Sequence, residues 1–320
     1  VIPAEERDRI LDFIPMNLQS LGSGMTASQV MSLDYIASSI DQGWKRPCYF
    51  AMTVPESYYL GLSPYMRNTG LAFQVTPVRN DGGVTSSACD KMYDNVMNKF
   101  RWGGLDTAEP GSIYLDETIR RMVSTHRTAI TELATDLANE GALAQRALDL
   151  GVSTYMGRDA KAFAADRFKK AYDVLEFMHK KLPVATCPYG IQMGQQIASA
   201  YEFIGRMGKN PAATKRAIEV LESEILRYAD YARYYQSLSP SMSGRITNID
   251  RFIDQRYFPE IIMDYGSINP KGVDALMSKV EAKGVNLERV AQYMQRIEAA
   301  RNPQPIKAAP ADSDAAQASN

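Results

Sequence analysis

The spacing of hydrophobic positions changes once along this chain, and the change divides it. Before about residue 110, short apolar runs alternate with turn formers; from Ile113 onward apolar residues recur with helical spacing. Thr26 with Gln29 forms a capping box, and Val30, Leu33, Tyr35, Ile36 and Ile40 predict a helix over 26–41, ended by Gly43. Arg46 precedes Pro47 and is biased to an extended conformation. CYFAMTV (48–54) is a continuous apolar run that predicts a strand covered on both faces, stopped by Pro55. Ser63 and Pro64 open a short helix closed by Gly70, and LAFQVT (71–76) is the next strand, closed by Pro77. Strand, helix, strand predicts a parallel pair with a right-handed crossover. After a turn at DGGV (81–84), Asp90 caps a helix whose buried face is Tyr93, Val96, Met97 and Phe100. Gly103 and Gly104 end it, and Trp102 is expected to cover the junction with the helical part of the chain.

In the second part Leu115, Ile119, Met122, Val123, Ile130, Leu133 and Leu137 form one stripe, which Gly141 is expected to break before Leu143, Ala147 and Leu148 begin a return helix. Further helices are predicted over 159–182, 189–207, 211–238, 245–263, 270–283 and 286–300. The series Leu133, Ala134, Leu137, Gly141, Ala144 has the small-residue pattern of tetratricopeptide helix pairs, and SAYEFIGRMG (199–208) with KRAIEVLE (215–222) repeats it. The predicted fold class is therefore a small α/β domain over 1–110, with a parallel sheet, followed by an all-α, tetratricopeptide-like helical-repeat domain over 111–301. The Pro-, Ala- and Ser-rich tail, 302–320, is expected to be disordered.

Composition removes several function classes. A formal net charge of −1 gives no field that would draw nucleic acid or anionic lipid. Cys48, Cys89 and Cys187 are widely spaced, so the sequence implies neither a disulfide framework nor a metal site. The chain starts at Val1 with no signal-peptide pattern, and it reads as a processed product or a piece of something larger. WGG lacks the context of a dinucleotide fingerprint, and the sequence has no P-loop. His126 and His179 sit on or beside apolar stripes, where histidines are usually packing residues; Cys48 reads as a small hydrophobe. No catalytic residue, cofactor or metal is assigned. The richest binding feature is LRYADYARYYQSL (226–238): Tyr228, Tyr231 and Tyr235 share a helix face beside Arg227, Tyr234 and Arg233. These rings either pack against the next helix or line a groove for a peptide or a sugar face.

The segments LDYIASSIDQGWKRPCYFAMTVPESYYLGLSPYMRNTGLAFQVTPV (33–78), MYDNVMNKFRWGGLD (92–106) and YLDETIRRMVSTHRTAITELATDLANEG (114–141) carry several motifs in a fixed order. In that order they resemble the soluble C-terminal region of a family of large bacterial membrane proteins, a domain of unknown function. The N-terminal multi-span region of that family is similar to protein O-mannosyltransferases of the GT-C glycosyltransferase class. The resemblance implies a periplasmic domain, tethered to the inner membrane by preceding spans of the same protein, with the catalytic carboxylates elsewhere. It makes Phe100, Trp102, Gly103 and Gly104 an inter-domain joint. The function it implies is a non-catalytic module that positions polypeptide or glycan acceptors. A protein-binding scaffold in an envelope complex is the alternative, and a hydrolase acting through His126 is a third reading.

Overall fold

The computed structural model describes residues 4–16, 24–80, 86–245 and 253–301. The turn expected at 81–84, the first part of the helix expected over 245–263 and the expected tail 302–320 lie outside the described residues. Contacts cluster into two compact units, Val1–Leu221 and Glu222–Asn320. The boundary read from the sequence, near residue 110, falls inside the first unit.

Helix α1 (Ala27–Asp41) begins at the predicted capping box: the Thr26 side chain accepts from Gln29 N–H, and the Gln29 side chain accepts from Thr26 N–H. The sheet beside it differs from expectation. Strands β1 (Tyr49–Ala51), β2 (Met66–Asn68) and β3 (Ala72–Val75) take the order β1-β3-β2, and both pairings are antiparallel. Two physical reasons explain this. Only Thr69–Leu71 separate β2 from β3, which allows a hairpin but no crossover. Between β1 and β2 the chain makes only single 3₁₀ turns, Glu56–Tyr58 and Ser63–Tyr65, so no helix spans the sheet face. β1 is also an edge strand and not a doubly covered one; Tyr49 is 42% exposed.

The core of this part gathers Ile36, Cys48, Tyr59, Leu60, Leu62, Tyr65, Met66 and Val75. Tyr59 meets Phe50 and Phe73 edge-on, at 5.5 and 5.9 Å between ring centres. Leu60 adopts φ 58° ahead of Gly61, a strained conformation for a leucine, and the burial of both Leu60 and Leu62 offsets it.

Helix α2 (Cys89–Asp94) passes into a π turn, Asn95–Lys99. Its N-cap is Ala88, so Asp90 lies in the first turn and does not cap the helix as the sequence predicted. Helix α3 (Glu117–Asp149) is continuous for 33 residues through Gly141, where a break was expected. Gly141 serves packing instead. A Cβ there would meet the Phe168 ring at 3.1–3.2 Å, so the glycine lets the following helix approach. A two-residue hairpin, β4 (Thr154–Tyr155) with β5 (Arg158–Asp159), leads into α4 (Ala160–Lys181). Gly141 faces Phe168 and Arg127 faces Leu182, so α3 and α4 run antiparallel.

Helix α5 (Met193–Met207) starts four residues later than predicted, because Pro188, Gly190 and left-handed Gln192 (φ 65°) occupy the connection. Helix α6 (Pro211–Ser237) comes next. Gly205 repeats the device of Gly141: its missing Cβ admits Thr214 of α6. The small-residue pattern is thus realised as close helix approach. The second unit adds the single turn α7 (Pro240–Ser243), α8 (Phe258–Ile268), preceded by a π turn, α9 (Val273–Ala282) and α10 (Leu287–Arg301). Its core includes Tyr228, Phe258, Ile261, Ile262, Leu276, Val280 and Val290.

Candidate functional surfaces

The tyrosine-rich face of α6 is built on a buried carboxylate. Glu224 is 1% exposed and takes Arg227 Nε and Nη2 at 2.9 and 2.5 Å, an i,i+3 pair on one helix. Thus fixed, the Arg227 guanidinium lies 5.1 Å from the Tyr228 ring centre and 5.8 Å from that of Tyr231. Tyr228 is fully buried, whereas Tyr231 is 40% exposed. The sequence placed Tyr228, Tyr231 and Tyr235 on one strip. In the structure Arg227, Tyr228 and Tyr231 form one stack, while half-buried Tyr235 pairs with exposed Tyr234 at 5.3 Å. Arg233 is exposed. The surface that remains for a ligand is Tyr231, Tyr234 and Arg233, with Arg227 already neutralised. Glu224 was not singled out from the sequence; its i,i+3 spacing to Arg227 was the available signal.

Nearby, Asp254 is 2% exposed and sits in the π turn before α8. It accepts from Gln236 Nε2 at 3.0 Å and lies 3.1 Å from Arg289 Nη2. Burial raises its carboxyl above the usual range, against the Gln236 hydrogen bond and the Arg289 charge. Gln236 Oε1 in turn accepts from the Asn286 N–H, tying α6 to the start of α10.

In the first unit, the expected joint residues meet two helices. Phe100 lies over Gly70, whose φ of 151° and absent Cβ leave room for the ring. The Phe100 ring centre is 5.8 Å from that of Trp102 and 5.6 Å from that of His126. Trp102, half-buried, also meets Phe177 of α4 edge-on at 5.7 Å. Gly103 and Gly104 both adopt left-handed φ, 62° and 77°, and turn the chain away. His126 Nδ1 is 2.7 Å from the Met122 carbonyl, and its ring faces Phe100 and Trp102, an arrangement of packing and not of nucleophile activation.

Charged contacts reinforce this region. Asp90 accepts both Arg167 amino groups, at 2.5 and 2.8 Å, and Arg167 Nε lies 2.8 Å from Glu140 Oε2. The Arg167 hydrogen bonds hold the Asp90 carboxyl down at about 2. Asp136 of α3 accepts from the Ser87 N–H at 2.8 Å and from the Ser86 hydroxyl at 3.0 Å.

His179, read from sequence as a packing residue, belongs to a polar chain. Its Nε2 is 2.7 Å from the Tyr189 hydroxyl, and its Nδ1 is 3.1 Å from that of Tyr201. Burial lowers its basicity below the ordinary histidine value. Among the described residues no group of three potential ligands could hold a metal ion. A groove of about 380 Å³ lies between the N-terminal turn and the sheet, lined by Arg7, Trp44, Pro47, Gln74 and Pro77. Trp44 there has φ 60°.

A family model described as TMEM260-associated domain 2 matches residues 1–93, which takes in α1 and the three-stranded sheet and stops inside α2. This part of the chain, under a third of its length, is similar to a TMEM260-related family. No curated protein and no solved structure matches the chain. No helix among the described residues is long and apolar enough to cross a membrane.

Proposed function

We propose that the chain is a non-catalytic, extracytoplasmic module of a membrane-bound glycosyltransferase-like protein, and that it positions polypeptide or glycan acceptors. The match of residues 1–93 to a TMEM260-associated domain carries this reading, because TMEM260 is a protein O-mannosyltransferase. The engagement of both histidines in packing and structural hydrogen bonds supports a positioning role over hydrolysis through His126. The acceptor face is the exposed edge of Tyr231, Tyr234 and Arg233, and the parent's membrane spans tether the module in the periplasm. Rings that are apolar on their faces and polar at their tips suit an extended peptide or a sugar face. Calorimetric titration of the purified chain with a Ser/Thr-rich peptide and with a manno-oligosaccharide tests this reading. Saturable binding of either, weakened by Tyr231→Ala, supports it, and binding of neither removes it.

The second reading is a helical-repeat scaffold for a protein partner without any glycosylation role. The paired close approaches at Gly141 and Gly205 favour it, since stacked helix pairs present one continuous surface. An open reading frame without membrane spans upstream of Val1 would favour this scaffold.

A further inference from the structure

Lys91 of α2 rests on two neutral acceptors of the sheet. Its Nζ lies 3.0 Å from Gln74 Oε1 and 3.2 Å from the Tyr49 hydroxyl oxygen, and it stands 5.5 Å from the Tyr49 ring centre. Tyr49 and Gln74 are partners across β1 and β3, so their side chains share one face of the sheet. Among the described residues no carboxylate reaches this ammonium. The acidic residues of its own helix are engaged elsewhere, Asp90 by Arg167 and Asp94 by Lys99.

The arrangement is rich in donors and poor in acceptors. Lys91 carries three N–H groups, and its two contacts take two of them. The Tyr49 oxygen accepts, which leaves its O–H to donate. The cation fixes the Gln74 amide with its oxygen toward Lys91, so the amide nitrogen with its two N–H groups is turned away. Gln74 is 8% exposed, and among the described residues that nitrogen meets no acceptor. Gln74 also lines the groove of about 380 Å³ beside the N-terminal turn. The groove wall is otherwise mostly apolar, with Ile10, Leu11, Trp44, Pro47 and Pro77, and Arg7 adds a second cation. Trp44 keeps its place on that wall at φ 60°, a strained conformation for a tryptophan.

We propose that this groove and the donor set of Lys91, Tyr49 and Gln74 form one binding site for an acidic, apolar peptide segment. A carboxylate of the segment takes the donors, and an apolar neighbour lies along the Trp44 wall. Charge complementarity selects the carboxylate: the three side chains have donors left to offer, and Lys91 and Arg7 are cationic. The apolar wall selects a peptide over an acidic sugar, whose ring hydroxyls would give up water against Ile10, Leu11 and the two prolines. The site lies within residues 1–93 and shares no residue with the α6 face, so the two are tested independently.

The chain has two tryptophans, so Trp102→Phe leaves Trp44 as a single reporter in the groove wall. Fluorescence titration of that variant, or calorimetry of the wild-type chain should the variant fail to fold, uses three probes: a blocked leucine–glutamate–leucine peptide, its glutamine analogue, and glucuronate. The glutamate peptide should bind saturably and about fivefold or more tighter than the glutamine analogue. Lys91 is exposed, so Lys91→Met should fold and erase that preference, Lys91→Arg should keep most of it, and Tyr49→Phe should reduce it. No saturable binding of the glutamate peptide overturns the site, as does equal affinity for the two peptides or a preference that survives Lys91→Met. Glucuronate binding as tightly as the glutamate peptide overturns the assignment to peptide.

Discussion

Arg167 of α4 holds Asp90 of α2 through two hydrogen bonds, at 2.5 and 2.8 Å, while the guanidinium itself is 4% exposed and the carboxylate 54%. A buried cation thus reaches outward to a carboxylate that remains in contact with water. Asp90 lies near the end of the segment matched to the TMEM260-associated domain, so the pair fastens that segment to the long helices. Glu140 of α3 shares the same guanidinium, which makes Arg167 a cation common to three helices.

Asp90→Asn should therefore destabilise the chain at neutral pH. The folded carboxyl is held at about 2, below its unfolded value, so its contribution is present above about pH 4 and fades as the pH falls toward 2. Half of the carboxylate is solvent-exposed, and screening reduces the effect to about 1 kcal/mol. Urea denaturation of wild type and variant at pH 7 and at pH 2.5 measures it. The difference should shrink at the lower pH; an undiminished difference would show that charge is not the cause.

Gly141→Ala tests whether the glycine in α3 is there for packing. On an isolated helix the change would stabilise by about 1 kcal/mol. Here the new methyl meets the Phe168 ring at 3.1–3.2 Å, and displacing that ring costs about 1–3 kcal/mol. The expected outcome is a lower melting temperature, and Gly141→Leu should fall further. A higher melting temperature for the alanine variant would mean that α4 yields without cost.

Trp102 is half-buried among Phe100, His126 and Phe177, so Trp102→Ala should cost about 2 kcal/mol, below the range for a fully buried tryptophan. Chemical denaturation followed by circular dichroism reads this loss. A change under about 0.5 kcal/mol would place the ring's role on the surface, in ligand contact and not in the joint.

The parts of this architecture that could be read from sequence are those written in local chemistry. The Thr26–Gln29 capping box, the helical stripes and most helix limits depend on residues within one or two turns of each other. The sheet was misread because Met66–Asn68 is too short for a visible alternation and lies between a Pro64 helix signal and Gly70. Gly141 carries the same local signal whether it ends a helix or admits a ring, and only Phe168, 27 residues on, decides. Asp136 and Glu140 likewise resemble solvated helix charges, and Asp90 a helix cap, until the partner elements are placed. For the α6 surface, the i,i+3 relation of Glu224 and Arg227 was legible, but the burial of Tyr228 was not.

That difference in depth makes the tyrosines of α6 separable by mutation. Tyr228 is fully buried, and replacing it with alanine removes a packed ring and one wall of the Arg227 stack, a loss of about 3–5 kcal/mol. Tyr231, 40% exposed, contributes one face to Arg227 and little to the core, so Tyr231→Ala should cost about 1 kcal/mol or less. If Tyr231 and Tyr234 form the acceptor face, Tyr231→Ala should weaken binding of a Ser/Thr-rich peptide by about 1–2 kcal/mol, roughly five- to thirtyfold in Kd. Arg233→Ala should weaken binding more for acidic peptides than for neutral ones, because its cation is exposed while Glu224 neutralises Arg227. Melting curves and titrations on the same preparations separate the two roles. Unchanged affinity in Tyr231→Ala, with folding intact, would move the acceptor surface away from α6.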